Sequence, residues 1–291
     1  SVTVSVIVPS RNAAGTIAEQ FAALSNQTFT GSWEVIVVDH ASTDATAEIA
    51  QSWADRLPVR VVGAAPGGGV SRSRNVGIEQ ARGRLLLFCD SDDVVDTRWV
   101  DEMVRALEDV DLVGGVLVPF ADRPRAHAWN GTRPGEPAGS ALLDVGTLAS
   151  FRGGNMGMRA SAIGDLRFPE WYTWPGGEEI DFCLRAQLNG AQLGVAPAAV
   201  VNYRLRNSLR DVVRQQFWWS YAWPCIAAHF PTIVPPRSRR RVLRRWVSAL
   251  RDLLVPRSSS DRWKAPRQLA ALTGEAFGVV RFRRRSPEAH Q

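Results

Sequence analysis

Three aspartates follow a short apolar run in the first third of the chain. The run 85–89 is typical of a buried strand, and Asp90, Asp92 and Asp93 come directly after it, with Ser91 between them. Carboxylates this close repel one another at the mouth of a low-dielectric crevice unless a cation shares them. Oxygen ligands of this kind suit Mg²⁺ or Mn²⁺, whose remaining positions go to phosphate oxygens and water. A capped turn without a metal explains the cluster about equally well.

A second acidic group opens a predicted helix over 178–189. Glu178, Glu179 and Asp181 follow a pair of glycines at 176–177. Negative charge in the first turn stabilises a helix by about 0.3–1 kcal/mol per residue. Helix stabilisation is a good explanation for one acidic residue in the first turn but a poor explanation for three. We therefore expect one of these carboxylates to act as a general base.

A third group combines glycine with arginine. The turn 67–69 consists of three glycines and leads into a predicted helix, 70–82, that carries Arg72 and Arg74 near its start. Backbone N–H groups at a helix N-terminus bind diphosphates, and arginine adds positive charge. The spacing matches neither the P-loop nor the dinucleotide-binding turn, so a Rossmann dehydrogenase would lack its motif. A plain loop remains the alternative.

Apolar strands alternate with helical segments over the first 115 residues. Continuous apolar strands separated by helices indicate an α/β fold, with a mostly parallel sheet covered by helices on both faces. Ligands bind such sheets beyond the carboxyl ends of the strands. The sequence predicts strands over 4–8 (ended by Pro9), 33–38, 59–62 and 85–89, helices over 16–24, 43–56 and 70–82, and a loop over 119–140.

The composition is that of a globular protein, and its charge is unevenly distributed. Of the 291 residues 45% are hydrophobic and 22% charged, and no apolar run reaches the ~18 residues of a membrane span. Residues 1–203 carry 16 Arg and 24 acidic residues, whereas 204–291 carry 18 Arg, one Lys and 5 acidic residues. We therefore expect any surface for an anionic partner to lie in the last third.

The cysteines and the first residues bear on the compartment. Cys89, Cys183 and Cys225 are far apart and lack ligand spacing, which excludes a zinc site and fits reduced thiols. The first residues contain no basic segment, so we expect no secretory signal. These features predict a cytoplasmic protein.

The motifs taken together resemble those of family 2 glycosyltransferases, over about residues 3–220. The order and intervals of the set are far more specific than any one motif. The segments that carry the resemblance are 4–12, 26–29, 34–39, 42–44, 73–78, 81–83, 90–93, 153–156 and 177–185.

The resemblance implies a GT-A fold that binds a nucleoside-diphosphate sugar across the carboxyl edge of its sheet. It also implies Mn²⁺ or Mg²⁺ on Asp92 and Asp93, and inversion with Glu179 as the base, with Glu178 and Asp181 as alternatives. The donor site is expected to contain Pro9, Ser10, Arg11, Asp39, His40, Arg74, Asp90, Ser91 and Asp92. The acceptor, a sugar or lipid-linked glycan hydroxyl, is expected to contact Gly154, Asn155, Trp174, Gly177, Trp218 and Trp219.

The chain departs from the family pattern at several positions. His40, Arg11 and Glu179 stand where Asp, Tyr and Asp are common, and Asn202 replaces a frequent histidine. The segment 215–219 does not match the motif of processive members. We therefore expect a non-processive enzyme of glycan or glycolipid synthesis.

We predict a catalytic domain over 1–203 and a basic helical region over 204–291. Within the domain, 1–115 would bind the donor and the metal, and 141–203 would hold the acceptor and the base. The helical region carries an apolar stripe among arginines, a pattern of segments that lie on an anionic membrane. Packing on the catalytic domain is the alternative, and nucleic acid is a less favoured partner. The stripe consists of Val242, Leu243, Trp246, Val247, Leu250, Leu253 and Leu254.

The sequence thus predicts a metal-dependent, inverting glycosyltransferase that is cytoplasmic and peripheral on the inner face of the membrane. Two alternatives remain open. One is a sugar-1-phosphate nucleotidyltransferase, although segment 9–15 is poor in the glycine that it requires. The other is a non-catalytic module of the same fold that binds nucleic acid or membrane through its basic region.

Overall fold

The computed structural model describes residues 2–138, 141–235, 239–254 and 261–282. The strands are β1 (Val4–Ser10), β2 (Trp33–Asp39), β3 (Val59–Gly63), β4 (Leu85–Cys89), β5 (Val94–Val95), β6 (Leu112–Phe120), β7 (Leu143–Val145), β8 (Leu148–Ser150), β9 (Asn155–Arg159) and β10 (Leu193–Arg204). The helices are α1 (Ile17–Ser25), α2 (Thr46–Gln51), α3 (Gly69–Gln80), α4 (Trp99–Ala106), α5 (Pro124–Asn130), α6 (Ala160–Ile163), α7 (Glu178–Leu188), α8 (Leu209–His229), α9 (Arg239–Leu254) and α10 (Asp261–Phe282).

The main sheet has the strand order β3-β2-β1-β4-β9-β6-β10-β5. β1, β2, β3 and β4 are parallel to one another, and β6 is parallel to β10. β9 runs antiparallel between β4 and β6, so the carboxyl ends of β4, β6 and β10 point to the same edge. This edge is where the sequence predicts the ligand crevice.

The sheet forms because its strands are apolar on both faces. In β1, Val4, Val6 and Val8 pack into one core with α1 and α4, while Ile7 packs into a second core on the opposite face. Successive side chains of a strand point to opposite faces, which accounts for this division. All seven residues of β1 are buried.

Asn155 holds the antiparallel strand β9 in the middle of the sheet. Its amide nitrogen donates to the carbonyl oxygens of Val116 and Ala199, each at 3.0 Å, and its Oδ1 accepts from Trp99 Nε1 at 2.8 Å. The side chain is 1% exposed. It therefore joins β9 to β6, β10 and α4, and no part of it reaches the cleft to contact an acceptor.

Three predicted boundaries were wrong. β1 continues past Pro9 to Ser10, because pairing with β2 persists along the whole strand. The helix expected over 43–56 is shortened to α2, since segment 42–44 bonds to the loop after β1, where Asn12 Oδ1 accepts the N–H of Thr43 at 2.8 Å. Segment 119–140 is not only loop, since it contains α5.

The helical region that follows β10 packs against the sheet domain. Helix α10 lies very close to α8: a Cβ on Gly274 would come within 2.1 Å of the carbonyl oxygen of Phe217, and one on Gly278 within 2.5 Å of that of Tyr221. Tyr172 and Trp174, from the segment before α7, share a buried cluster with Phe282 at the end of α10. The predicted division at residue 203 therefore falls within one packed body.

Helix α9 leaves an apolar face uncovered. Its opposite side is attached to α10 by an ion pair of 2.8 Å between Arg245 and Glu275. Most of the predicted stripe is thus exposed rather than packed on the catalytic domain. The exposed members are Leu243, Val247, Leu250, Leu253 and Leu254, of which the first is 65% and the last 77% accessible.

No helix within the described ranges is long and apolar enough to cross a bilayer.

Candidate active site

The three aspartates meet at the carboxyl edge of the sheet. Asp90 follows β4, and Asp92 and Asp93 precede β5, so the turn between two strands brings their carboxylates together. One oxygen from each lies within 4.8 Å of the others. Ser91, between them, is buried and its carbonyl accepts from Thr16 at 3.3 Å.

The electrostatics of this cluster fit a divalent cation. Burial raises the pKa of Asp90 to about 6, and the charge of Asp92 adds to the rise, although Arg74 opposes it. Burial, together with the charges of Asp92 and Asp90, raises the pKa of Asp93 well above its ordinary value. Asp93 Oδ1 accepts the N–H of Arg204 at 2.8 Å, whereas its Oδ2 is buried without a partner. A cation bound to oxygen ligands would satisfy that atom and relieve the repulsion.

Two arginines at the carboxyl end of β10 complete the cluster: Arg204 is the last residue of the strand, and Arg206 follows it. Arg206 donates to Oδ2 of Asp92 at 3.1 Å, and Arg204 donates to the carbonyl oxygen of Asp92 at 2.8 Å. The sequence analysis did not predict either arginine as a site residue, because it placed both in the basic helical region. The sequence did contain a signal for these two arginines, because they lie at the carboxyl end of a strand, where sheets of this kind bind their ligands.

The ends of β1 and β2 form the second part of the edge. Ser10 lies beside Asp39 in the parallel register, and the N–H of His40 donates to the carbonyl of Ser10 at 2.8 Å. Asp39 Oδ1 and His40 Nε2 are both buried without a hydrogen-bond partner. Arg11 is exposed at the rim, while Pro9 stays in the strand. Buried polar atoms in proteins nearly always form hydrogen bonds. Two neighbouring atoms that lack a partner therefore indicate a place where a ligand supplies the missing bonds.

Arg74 lies between the aspartates and the second acidic group. It projects from α3, is 4% exposed and pairs with Glu178, with Nη1 2.8 Å from Oε1. Its guanidinium also stacks 5.3 Å from the ring centre of Phe168. Burial lowers its pKa, but the charges of Glu178, Asp90 and Glu179 outweigh that effect and raise it.

Two glycines make room for this arrangement. A Cβ on Gly153 would lie 2.4 Å from Nη2 of Arg74, and a Cβ on Gly154 would lie 2.5 Å from Oδ2 of Asp90. Gly154 therefore contributes by letting the backbone approach the acidic cluster closely.

The acids at the start of α7 have different surroundings. Asp181 Oδ1 accepts from Arg185 at 2.6 Å, and its Oδ2 accepts from the hydroxyl of Tyr172 at 3.5 Å. Glu178 is held by Arg74. Glu179 is half-buried and accepts the N–H of Gly177 at 3.1 Å. Burial and then the charge of Glu178 raise the pKa of Glu179 to about 8, although Arg74 opposes them.

The aromatic residues expected at the acceptor side lie next to this turn. Trp174 is 9% exposed and Trp219 is 46% exposed. A Cβ on Gly176 would come within 2.7 Å of Trp219 Cδ1, so the turn packs directly on α8. Gly177 is buried with a φ of 101°, which favours glycine at the start of α7.

Comparison with known proteins defines the class. A family model described as Glycosyl transferase family 2 matches residues 5–166. Glycosyltransferase AglE of Haloferax volcanii is 38% identical over 118 residues, 38% of this chain and 38% of that protein. The poly(ribitol-phosphate) beta-N-acetylglucosaminyltransferase TarS of Staphylococcus aureus (strain Mu50) is 35% identical over 107 residues, 36% of this chain and 19% of that protein. The matches thus span less than two fifths of these relatives.

Solved structures share the fold over nearly the whole chain. The mannosyltransferase PcManGT from Pyrobaculum calidifontis, in complex with GDP-Man and Mn²⁺, superposes with a TM-score of 0.65 at 19% identity, covering 95% of this chain and 86% of that one. S. aureus TarS 1-349 in complex with UDP-GlcNAc gives 0.56 at 20% identity, covering 94% and 91%.

The sheet and the helical region after it, together with these structural matches, define a GT-A fold. The chain belongs to glycosyl transferase family 2, as its motifs predicted. Family membership favours glycosyl transfer over both alternatives left open by the sequence, nucleotidyl transfer and a non-catalytic module.

Gly154→Ala should weaken Mn²⁺-dependent nucleotide binding by at least about tenfold, or 1.4 kcal/mol, because the new Cβ displaces the Asp90 carboxylate. Calorimetric titration of UDP and GDP with and without Mn²⁺ measures the effect. Gly63→Ala is the matched control, since its Cβ would meet nothing within 4 Å. Equal affinities in the two variants would contradict the close approach.

Proposed function

We propose that the protein transfers a sugar from a nucleoside-diphosphate sugar to a hydroxyl acceptor, with a divalent cation and with inversion at the anomeric carbon. The observation that carries this proposal is the convergence on Arg74: the charges of Asp90, Glu178 and Glu179 all act on its guanidinium. The groups that could bind a leaving diphosphate therefore lie beside a group that could act as the base, at one edge of the sheet.

The donor is proposed to bind along the ends of β1, β2 and β4. The buried atoms that lack a hydrogen-bond partner, Asp39 Oδ1 and His40 Nε2, would bind the nucleoside, with Ser10 and Arg11 beside them. Arg74 and Arg206 would offset the charge of the diphosphate, a role for which the guanidinium fork is well shaped. The solved neighbours in complex with UDP-GlcNAc and with GDP-Man support a nucleotide-sugar donor.

The metal is proposed to bind Asp92 and Asp93, with Asp90 as a further oxygen donor. The unpartnered Oδ2 of Asp93 and the mutual repulsion of the carboxylates support this assignment. A bound Mn²⁺ or Mg²⁺ would act as a Lewis acid toward the diphosphate oxygens. The Mn²⁺ in the complex of PcManGT supports a metal of this type.

Glu179 is proposed as the general base. Glu178 and Asp181 are engaged in ion pairs. Among the residues that the structure describes, no cation pairs with Glu179, whose pKa is raised to about 8. In the step, the acceptor oxygen forms a bond to the anomeric carbon as the bond to the diphosphate oxygen breaks. The hydroxyl proton passes to the carboxylate of Glu179, and the nucleoside diphosphate leaves. One displacement inverts the anomeric configuration.

The acceptor is proposed to approach from the aromatic side, over Trp174, Trp218 and Trp219, with Gly177 in the turn beneath. Aromatic rings bury large apolar areas and leave the hydroxyl groups of a sugar free to bond elsewhere. A single transfer to a glycan or glycolipid, without processive synthesis, fits this arrangement.

The exposed face of α9 is proposed to lie on an anionic membrane at the inner, cytoplasmic side. Leu243, Val247, Leu250 and Leu254 are spaced so that they share one face of the helix. Helical spacing places Arg240, Arg244 and Arg251 in a row beside them. Each such charge near an anionic surface contributes about 1 kcal/mol, so the stripe and the arginines act together.

Asp92→Asn and Asp93→Asn should each lower Mn²⁺-dependent nucleotide affinity at least about tenfold and reduce sugar transfer. The amide keeps the shape of the side chain and removes its charge. Calorimetry with Mn²⁺ measures binding, and Asp144→Asn, at an exposed position on β7, is the control. Wild-type affinity in both site variants would mean that the metal binds elsewhere.

Glu179→Gln should leave donor binding within about twofold and lower turnover at least about 10²-fold, as loss of a general base does. Donor binding and single-turnover transfer are measured on the same preparation. A mild Glu179→Gln beside a severe Asp181→Asn would identify Asp181 as the base instead. The paired Glu178 is tested alongside as Glu178→Gln.

The pH dependence of wild-type kcat/KM tests the same assignment. Because the base must be deprotonated and its pKa is raised to about 8, activity should rise about tenfold per pH unit below that value and level off above it. A profile measured from about pH 6 to pH 9 that stays flat would contradict Glu179 as the base of the free enzyme.

Flotation with vesicles of phosphatidylglycerol and phosphatidylcholine tests the membrane proposal. The protein should float at low salt and be largely released at about 1 M salt, where charges are screened within ~3 Å. Leu243→Glu with Leu250→Glu should abolish flotation, whereas the control Leu188→Glu, at a position 60% exposed on α7, should float. Folded wild-type protein that stays at the bottom in low salt would overturn the proposal.

A further inference from the structure

A pocket of about 220 Å³ lies between the segment before α7, helix α8 and the end of α10. Three aromatic side chains and two arginines line it, and none of the lining residues is acidic. The aromatic residues are Trp174, Trp218 and Tyr221, and the arginines are Arg214 and Arg281.

The aromatic rings form an ordered wall. Trp174 meets Tyr221 edge to face, with ring centres 5.1 Å apart, and Trp218 meets the same tyrosine edge to face at 5.4 Å. Rings fixed in this way offer a rigid apolar surface at low entropic cost. The indole N–H of Trp174 is buried in this wall without a hydrogen-bond partner, and the side chain as a whole is 9% exposed.

The arginines give the pocket a positive charge that no acidic residue in the described part of the chain neutralises. Arg214 and Arg281 form no ion pair with any carboxylate in the described ranges. The close approach of α10 to α8 at Gly274 and Gly278 brings Arg281 of α10 to the pocket that Arg214 of α8 also lines. Guanidinium groups bind phosphate and carboxylate through two parallel hydrogen bonds, so this pair suits an anion.

The pocket is connected to the proposed base by a short stretch of chain. Pro175, in its wall, precedes Glu179 by four residues, and the intervening glycines pack on α8. Trp174 and Trp218, proposed above for the acceptor side, also line the pocket, so a ligand bound there would lie on that side. The volume is below the roughly 300–1,000 Å³ of sites for drug-sized ligands, which suits one unit of a chain and not a whole nucleotide sugar.

We propose that this pocket is an acceptor subsite for an anionic carbohydrate, in which the aromatic wall covers one face of a sugar or polyol unit and Arg214 and Arg281 bind its phosphate or carboxylate. The inference rests on the proposed function, since it names the class of acceptor for the same site. An acceptor whose units carry negative charge would be held by a neighbouring unit while the reacting hydroxyl approaches Glu179.

Ligand-observed NMR with the full chain tests the subsite directly. The probes are glucose 6-phosphate, glucuronate, glucose and inorganic phosphate. At least one of the two anionic sugars should bind about tenfold or more tightly than glucose, and the tighter of them identifies the anion. Glucose binding as tightly as both anionic sugars, or inorganic phosphate binding as tightly as the tighter of them, would overturn the proposal.

Variants assign the binding to this pocket. Arg214→Gln with Arg281→Gln should remove the preference for the anionic sugar, and Trp218→Leu should weaken the sugar part of the binding. Arg210→Gln, an exposed arginine on α8 outside the pocket, should bind as wild type. An equal loss in Arg210→Gln, or an unchanged preference in the double variant, would contradict the assignment. Thermal unfolding verifies that each variant is folded.

A separate assay distinguishes this inference from the proposed function. Wild-type protein is incubated with nucleotide sugars and Mn²⁺ without acceptor, and donor hydrolysis is followed. Hydrolysis without selective binding of an anionic sugar would overturn the subsite alone. Absence of hydrolysis with every donor would count against the proposed function. The sugar-binding measurements would still decide whether the pocket binds an anionic carbohydrate.

Discussion

The buried ion pair between Arg74 and Glu178 connects the two halves of the site. The residues lie 104 positions apart, one on α3 beside the sheet edge and the other at the start of α7. Both side chains are about 95% buried, so removal of either partner would leave an uncompensated charge at a cost of about 3–5 kcal/mol. The absence of a side chain at Gly153 allows the guanidinium to reach this position.

This pair also determines which acid remains available for chemistry. Glu178 is paired with Arg74, while burial and the charge of Glu178 raise the pKa of Glu179. Asp181 is neutralised by Arg185. The three acidic residues at the start of α7 therefore differ in their electrostatic surroundings. These differences arise from their partners and not from their residue types.

The uneven charge of the chain has a structural explanation. The first 203 residues have a net negative charge, and much of it is concentrated where Asp90, Asp92 and Asp93 meet. The segment that follows supplies Arg204 and Arg206 to that cluster and, farther along, the arginines of the pocket between α8 and α10. The basic region is thus partly a set of counter-charges for the site, while the exposed face of α9 presents other charges outward.

The sequence by itself determined the class of fold, the first four strands and the family, because continuous apolar runs and motif order are local properties of the chain. It also located the acidic cluster, since a strand end is recognisable from its residues. Only the tertiary structure decided that Asn155 is part of the core and that Asp92 pairs with Arg206. It also decided that, of the acids at the start of α7, Glu178 is the one that pairs with Arg74. Each of these outcomes depends on hydrogen bonds or ion pairs between residues distant in sequence, and such partners are set by strand order and helix packing.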